Sequence, residues 1–428
     1  MSSRSETSLA DTKYVPESLK WMFVVAGVLI TLGALNVYSA TYYMNMESGV
    51  NPYTHLGKHL VYLVGSIFAG MACAKCPKKL IRKGAWLWVL ITLCLLLLVM
   101  VAGRTVNGAT RWIYFAGVSL QPSEIAKVTG LIWASSYLAK QIDHHEKVSI
   151  IMSFIRPFFF FLSREKKNSF RTMLKHFIPL YGPLVMAAFV LKQPDMGTAV
   201  IILMFPLLLY ILAGLPIWEF IAGMGVVSFG GAILILAEPY RWDRVKVLWD
   251  PFPFARDEGY QTVQSLIAVG SGGFFGQAGG EGMSKFLYLP EQYTDFAFAV
   301  FSQEFGFVGA MVLVLLYLTF LFTGFSVASK LKETYAMLLV YGLTLLITVQ
   351  GLINIAMVIG CFPVTGVPLP FISFGGTSLL INIMALGLIF GTTVQSLKQS
   401  DMEERKRRIA AMEGRGASFR ELNRAIYR

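Results

Sequence analysis

Apolar runs long enough to cross a lipid bilayer recur along this chain, and they constrain its fold more than any other feature. A hydrocarbon core about 30 Å thick needs roughly 20 predominantly apolar residues in a helix, and ten stretches approach that length. They are residues 21–40, 59–74, 85–103, 122–139, 177–193, 196–213, 216–237, 296–325, 336–360 and 372–393. The sequence therefore predicts an all-α polytopic membrane protein with about ten transmembrane helices, formed by residues 21–395.

The charge distribution predicts how these helices are oriented. The chain is 55% hydrophobic and only 14% charged, whereas soluble domains are nearer a quarter charged. Lys and Arg cluster in residues 75–83, 140–176 and 396–428, and are scarce in the connections 41–58 and 103–121. Cytoplasmic loops carry the excess of basic residues, so this alternation places both termini in the cytoplasm. Membrane topology accounts for the net charge of +12, and nucleic-acid binding is excluded.

These assignments divide the chain into a cytoplasmic N-terminal segment (1–20), the membrane domain (21–395) and a basic cytoplasmic tail (396–428). The membrane domain includes a basic cytoplasmic loop at residues 140–176 and a long external connection, residues 238–295, between spans seven and eight. We call residues 238–295 the lid. Loops this long are usually functional or disordered, and the aromatic residues Tyr240, Trp242 and Trp249 argue against disorder. We expect a folded lid with amphipathic helices on the membrane surface.

Two irregular stretches fall on this predicted outer face. The glycine-rich "VGSGGFFGQAGGEG" (269–282) matches neither GxGxxG nor GxxxxGK[ST], so we interpret it as a flexible hinge that lets the backbone approach a ligand. "CFPVTGVPLPFISFGGTS" (361–378) contains three prolines and three glycines and is not a regular helix. At membrane depth such backbone must be buried in protein or line a wet cavity.

Asp295 is the sharpest candidate for chemistry. It follows Pro290 and Glu291 at the start of an apolar span, where Thr294 or Asp295 can simply cap the helix. The following Phe296, Phe298 and Phe301 would partly dry the site. Desolvation would raise the pKa of Asp295 while the helix N-terminus would lower it, and a carboxylate held between these influences suits general-base work. Capping and catalysis both remain open from the residues alone.

Other ionisable residues lie inside or beside predicted spans, where they are functional candidates by default. Glu124 and Lys127 are three residues apart and can pair on one helix face, so an ion pair that braces the bundle is the alternative. Lys192 and Asp195 lie at another outward helix junction, "LKQPDMGTA".

The cations of the lid allow two interpretations. Arg241, Arg244 and Lys285 suit a phosphate-bearing lipid, but Arg and Lys also reach the lipid headgroups simply to anchor a protein at the interface. The sequence does not decide between these roles.

Four blocks together resemble the SEDS family (shape, elongation, division and sporulation). They are "GATRWIYFAGVSLQPSEIAK", "KQPDMGTA", "YRWDRVKVLWDPF…GYQTVQSLIAVGSGG…YLPEQYTDFAFA" and "PVTGVPLPFISFGGTSLL". The resemblance covers roughly residues 20–395, and the division branch of the family is closer than the elongation branch. Two positions depart from the commonest pattern: Tyr293 replaces a frequent His, and Gln303 stands where an acidic residue is usual.

The resemblance implies a peptidoglycan glycosyltransferase of the bacterial cytoplasmic membrane that polymerises lipid II at the outer face during cell division. It also implies a class B penicillin-binding protein as crosslinking partner, other division proteins, and contact with membrane lipids. The family's catalytic carboxylate carries over to Asp295, with Glu291, Arg111 and Trp112 expected at the substrate. Arg241, Arg244 and Lys285 would stabilise the departing pyrophosphate, for which a divalent cation, Mg²⁺ or Mn²⁺, could assist.

Three rival functions remain at this point. A lipid II flippase would also use the buried Glu124 and Lys127, and it needs no base. An elongation-type polymerase would share the chemistry but not the division role. A scaffold that only recruits the crosslinking partner would tolerate loss of the Asp295 carboxylate.

Overall fold

The structure is a computed structural model that describes residues 12–106, 109–115, 118–145, 148–149, 180–236, 239–277 and 289–413. Its helices are α1 (Glu17–Glu47), α2 (Thr54–Lys75), α3 (Lys78–Lys83), α4 (Ala85–Ala102), α5 (Pro122–Asp143), α6 (Tyr181–Lys192), α7 (Met196–Leu212), α8 (Ile217–Leu236), α9 (Pro239–Trp249), α10 (Tyr260–Ser271), α11 (Ala297–Ala328), α12 (Thr334–Val358) and α13 (Gly376–Glu413). Each of the ten predicted spans coincides with one of these helices.

Length and hydropathy support the membrane assignment. Among the described residues, six helices are long and apolar enough to cross a membrane: α1, α2, α4, α11, α12 and α13. The helices α6, α7 and α8 are shorter apolar helices. The prediction of a polytopic all-α membrane protein is confirmed.

A small antiparallel sheet lies in the connection before α5, where the sequence analysis predicted no strands. Its strands are β1 (Arg104–Val106), β2 (Ala109–Phe115) and β3 (Val118–Leu120), in that order. Thr105 pairs with Thr110, and Ile113 pairs with Leu120. The segment ATRWIYF of β2 is rich in β-branched and aromatic residues, which favour strands. This sheet places Arg111 next to the turn between α6 and α7.

The centre of the bundle is α12, which contacts α5, α7, α11 and α13. Most of its residues are buried, including Tyr335 and Leu343, and they pack with Tyr317 and Phe320 of α11 in one apolar core. Polar side chains on α12 therefore have no water to bind, and we expect them to bond to other parts of the protein.

Small residues bring α2 and α13 into close contact. Gly387 and Gly391 form a GxxxG pair on α13, and they face Gly70 and Ala74 of α2. A Cβ atom added at Gly387 would overlap the carbonyl oxygen of Gly70. Small residues at this spacing let membrane helices approach closely enough for backbone packing.

We expect Gly387→Ala to destabilise the protein because the added methyl group has no room at this contact. Overpacking of this kind typically costs about 1–3 kcal/mol. Thermal unfolding in detergent measures the effect. Gly65→Ala on α2 is the matched control, since a Cβ there meets nothing within 4 Å. Equal melting temperatures for the two variants would contradict close packing at Gly387.

The helix α11 is broken at Gly306, whose backbone is non-helical with φ 63° and ψ −166°. Only glycine adopts this conformation readily. The chain after α10 fits into the break: the Phe307 amide donates to the Gly273 carbonyl at 2.9 Å, and the Gln277 amide donates to the Gln303 carbonyl at 2.9 Å. The sequence analysis interpreted these glycines as letting the backbone approach a ligand. In this part of the stretch, they let it approach the backbone of α11.

The α12–α13 loop (residues 359–375) carries irregular backbone into the bundle, where Leu369, Phe371 and Ile372 are buried. Some of its carbonyl groups accept hydrogen bonds from side chains of the surrounding helices. The Tyr317 hydroxyl donates to the Pro370 carbonyl at 2.5 Å, and Gln350 of α12 donates to the Pro368 carbonyl at 3.1 Å. Of the two expected alternatives, burial in protein or a wet cavity, burial holds for Leu369, Phe371 and Ile372.

The predicted boundary at residue 395 falls inside a helix, because α13 continues without interruption to Glu413. Beyond the apolar part, α13 carries ion pairs one turn apart, such as Arg405–Asp401 at 3.2 Å. Tyr14 donates a hydrogen bond to Asp401 at 2.7 Å, which links the N-terminal segment to this extension. Residues 414–428 of the predicted tail lie outside the described residues, as does most of the 140–176 loop.

Candidate active site

Asp295 lies in the turn that precedes α11. The helix begins at Ala297, its N-cap residue is Phe296, and no side chain makes a capping hydrogen bond there. The interpretation of Asp295 as a helix cap is therefore wrong. In the same turn, the Thr294 hydroxyl donates to a Glu291 carboxylate oxygen at 2.7 Å. The Asp295 carboxyl group makes no capping bond. Asp295→Asn therefore changes its acid–base chemistry without removing a helix cap.

The backbone around Asp295 is tied to two other elements. The Asn354 amide of α12 donates to the Asp295 carbonyl at 2.7 Å, and the Phe374 backbone N–H donates to the Tyr293 carbonyl at 2.8 Å. The Asp295 side chain faces the α12–α13 loop at Gly366: a Cβ atom there would lie 3.3 Å from Oδ2. The carboxylate thus lies between α11, α12 and this loop.

Aromatic residues dry this region, as the sequence predicted. Phe296, Phe298 and Phe301 are buried, and Asp295 itself is half-buried. The Tyr293 ring lies 5.6 Å from His55 and 5.8 Å from Phe374, measured between ring centroids. Asp295 therefore retains partial exposure beside buried aromatic residues.

The pKa of Asp295 is raised to about 7, mainly because burial disfavours the charged form and also because the negative charges of Glu291 and Asp195 lie nearby. The Arg111 guanidinium opposes this shift, and Glu124 adds to it. Desolvation therefore raises the pKa of Asp295 by more than the helix N-terminus, as expected from the sequence, would lower it. A carboxyl group that titrates near neutral pH is well matched to general-base catalysis.

Arg111 and Asp195 reach this site from different elements. The Arg111 side chain on β2 donates to the Gln193 carbonyl at 3.3 Å and also to the Pro194 carbonyl. Asp195 is buried and caps α7, accepting a hydrogen bond from the Thr198 amide at 3.2 Å. The sheet and the α6–α7 turn thus form one unit beside Asp295.

The other predicted residues in this area have different surroundings. Trp112 is half-buried and lies opposite Arg104 in the sheet. Lys192 and Glu291 are exposed. Their roles in substrate binding stay predictions.

Glu124 and Lys127 form a buried ion pair, with Nζ 2.7 Å from Oε1, as their spacing predicted. Lys127 also donates to Oε1 of Gln350 at 2.7 Å. Gln350 in turn bonds to the α12–α13 loop at Pro368, so the ion pair is connected to the loop that faces Asp295. The ion pair therefore braces the bundle and is linked to the site through Gln350.

Gln350 and Asn354 are two site residues that the sequence analysis missed. They lie four residues apart in "VQGLINIAMV", which places both amides on one face of α12. They could have been identified as two amides in an otherwise apolar span, because polar groups in such helices need partners inside the protein.

Part of the lid lies within the described residues. Its residues Pro239–Trp249 and Tyr260–Ser271 form the helices α9 and α10, so a folded lid is confirmed for this part. Arg241 and Arg244 lie on α9, but their side chains are outside what the structure describes, and so is the whole of Lys285. Their proposed contact with phosphate stays a prediction.

The divalent cation that the resemblance suggested lacks a ligand set in the described part of the chain. No group of three His, Cys, Asp or Glu side chains there lies close enough to hold a metal ion.

Comparison with known proteins agrees with the resemblance seen in the motifs. The family model of the FtsW/RodA/SpoVE cell cycle proteins matches residues 19–397. A Coxiella burnetii protein named "probable peptidoglycan glycosyltransferase FtsW" is 33% identical over 374 residues, which is 86% of this chain and 94% of that protein. A Geobacter protein of the same name is 32% identical over 378 residues, covering 87% and 96% of the two chains.

Solved structures share the fold. One, from a peptidoglycan synthase complex that coordinates polymerization and crosslinking, has a TM-score of 0.68 at 23% identity and covers 88% of this chain and 97% of its own. The rod shape determining protein RodA of Thermus thermophilus has a TM-score of 0.61 at 23% identity, with coverage of 88% and 96%. Together with the family match, these similarities show that the chain belongs to the SEDS family of membrane proteins, the cell cycle proteins that include FtsW, RodA and SpoVE.

Proposed function

We propose that this protein is a peptidoglycan glycosyltransferase that polymerises lipid II at the outer face of the cytoplasmic membrane during cell division. The observation that carries the proposal is the position of Asp295: a half-buried carboxyl group with a raised pKa, held in the site where the family's motif places its catalytic residue. The names of the curated relatives, at 31–34% identity, support the same reaction and favour the division branch.

In the proposed mechanism, Asp295 accepts the proton of the 4-hydroxyl group of the acceptor GlcNAc. The freed oxygen attacks the anomeric carbon of the donor MurNAc, inverts that carbon and expels undecaprenyl pyrophosphate. One carboxylate suffices because pyrophosphate leaves without a general acid, unlike the sugar leaving groups of most glycosidases. Arg111 lies near enough to influence Asp295, and Arg241, Arg244 and Lys285 would offset the charge on the leaving group.

A pH dependence follows from this role. A general base must be deprotonated, so the polymerisation rate should fall as pH decreases through about 7, the raised pKa of Asp295. For an ordinary Asp, the same decline would occur near pH 4. Initial rates measured from pH 5 to 9 test this expectation. A rate that is constant down to pH 5 would contradict it.

The function itself is tested with purified protein, its partner and labelled lipid II. Glycan polymer from the wild-type protein, absent from an Asp295→Asn preparation purified in the same way, supports the enzyme. Translocation of lipid II across vesicle membranes without polymer would instead support the flippase, to which the buried Glu124–Lys127 pair would also be suited. The Asn preparation also controls for contaminating polymerases.

We further propose that a class B penicillin-binding protein is the crosslinking partner, within a complex that includes other division proteins. The solved relative from a complex that combines polymerization with crosslinking supports this arrangement. Membrane lipids would cover the exposed apolar side chains of α8, such as Trp218 and Phe229.

The proposed topology puts both termini in the cytoplasm and the lid outside, with the protein concentrated at the division septum. A reporter fused after residue 165 should therefore read cytoplasmic, and one inserted near residue 280 should read external. A cytoplasmic signal at residue 280 would contradict the lid hypothesis, since lipid II is polymerised outside the cell.

A further inference from the structure

We propose that Asn354 of α12 is a positioning residue for the reaction: it holds the Asp295 turn and the α12–α13 loop together, and thereby places the carboxylate. This inference rests on the proposed function, because it concerns how the base is held. Asn354 is assigned no direct contact with the substrate.

The Asn354 side chain connects two elements through hydrogen bonds. Its Nδ2 atom donates to the Asp295 carbonyl at 2.7 Å and to the Val367 carbonyl at 2.7 Å. The first bond spans 59 residues of sequence, the second reaches the loop that directly follows α12, and the Asn354 side chain is fully buried. A single amide group therefore joins the turn that bears the base to the loop that faces the base.

The loop bond matters because Val367 is adjacent to Gly366, the residue beside the Asp295 carboxylate. One turn earlier on the same face of α12, Gln350 bonds to the Pro368 carbonyl and accepts from Lys127. The two amides thus hold consecutive loop carbonyls, while only Asn354 also reaches Asp295. Loss of Asn354 would remove the bond to the Asp295 carbonyl itself and leave the turn held at Tyr293 by the Phe374 N–H, whereas Gln350 would still hold the loop.

Positional errors at a reacting group are expensive for catalysis. A displacement of about 1 Å can lower a rate about 10²-fold even when the substrate still binds. Asn354 is fully buried and bonds to the Asp295 backbone, so we expect its truncation to admit water there and to change the titration of the base. The charged groups that act on Asp295 are Glu291 in its own turn, Asp195 before α7, Arg111 on β2 and Glu124 on α5.

The test compares kcat, KM and the pH–rate profile of the purified full chain with its partner and labelled lipid II. Asn354→Ala removes both hydrogen bonds, and Asn354→Asp keeps the shape but cannot donate both bonds. Asn382→Ala is the matched control: Asn382 is also a buried asparagine, but it bonds to Ser378 within its own helix.

We expect kcat to fall about 10²-fold in Asn354→Ala and Asn354→Asp, with KM close to that of the wild type. Water admitted in the Ala variant should move the acid limb of its pH profile below pH 7, toward the ordinary Asp value near 4. The Asp variant should show no such downward movement, since an added carboxyl group disfavours ionisation of Asp295. The folded fraction of each variant is isolated by size-exclusion chromatography before assay.

Wild-type kcat and an unchanged pH profile in folded Asn354→Ala would overturn the proposal. So would losses of yield and activity no different from those of Asn382→Ala, because they would reflect a structural role alone. If Asn354→Ala yields no folded fraction, Asn354→Asp decides: a wild-type kcat there overturns the proposal. A wild-type protein that makes no glycan would instead refute the proposed function, so the two failures are distinguishable.

Discussion

Asp295→Asn should abolish glycan synthesis almost completely while leaving the protein folded, inserted and bound to its partner. The substitution removes the proton acceptor but keeps the size of the side chain and one oxygen. Loss of a positioned general base typically lowers a rate about 10²–10⁴-fold. Folding should change little, because the Asp295 side chain caps no helix and its fixed hydrogen bond from Asn354 uses the backbone carbonyl. Polymer formed from labelled lipid II measures the effect.

The matched control is Asp250→Asn in the lid. Asp250 is exposed and accepts a hydrogen bond from the Phe252 amide at 3.1 Å, a role that Asn can also fill. We therefore expect near-normal activity from Asp250→Asn. Retained polymerisation in a well-folded Asp295→Asn protein would move the base elsewhere, and Glu291, in the same turn, would be the next candidate.

Glu124→Ala and Lys127→Ala should each lower stability strongly, because either change leaves one buried charge without its partner. Breaking a buried ion pair from one side typically costs about 3–5 kcal/mol. Both side chains are almost fully buried, at 4% and 2% exposure, and Lys127 retains only the neutral Gln350 amide when Glu124 is removed. Activity should fall as well, since Gln350 also holds the α12–α13 loop.

Thermal unfolding in detergent and purified yield measure this effect. The double variant Glu124→Ala/Lys127→Ala should be less damaging than the sum of the two single variants, because it leaves neither charge unpaired. Lys246 and Asp243 on α9 form the matched exposed pair, also three residues apart at 2.8 Å, and Lys246→Ala should cost no more than about 1 kcal/mol. Normal yield and melting temperature in both buried single variants would contradict the ion-pair assignment.

The membrane character of the protein and the candidates for its chemistry were predictable from the sequence. Apolar runs and the spacing of Lys and Arg are local properties, because lipid is a uniform solvent that selects against charge residue by residue. The pairing of Glu124 with Lys127 was predictable for the same reason, since residues three apart share a face of any helix. Asp295 could be identified as a candidate, but the residues alone did not separate a helix cap from a general base.

Tertiary structure decided what surrounds Asp295. The contact with Asn354 spans 59 residues of sequence, and the approach of Gly276 to the backbone of α11 at Gly306 depends on how the lid packs. Neither contact leaves a periodic trace in the sequence. A buried backbone carbonyl must find a donor inside the protein, but which side chain reaches it is determined only when helices distant in sequence pack together. The same packing removes water from Asp295 and raises its pKa, the property on which its proposed role as a base depends.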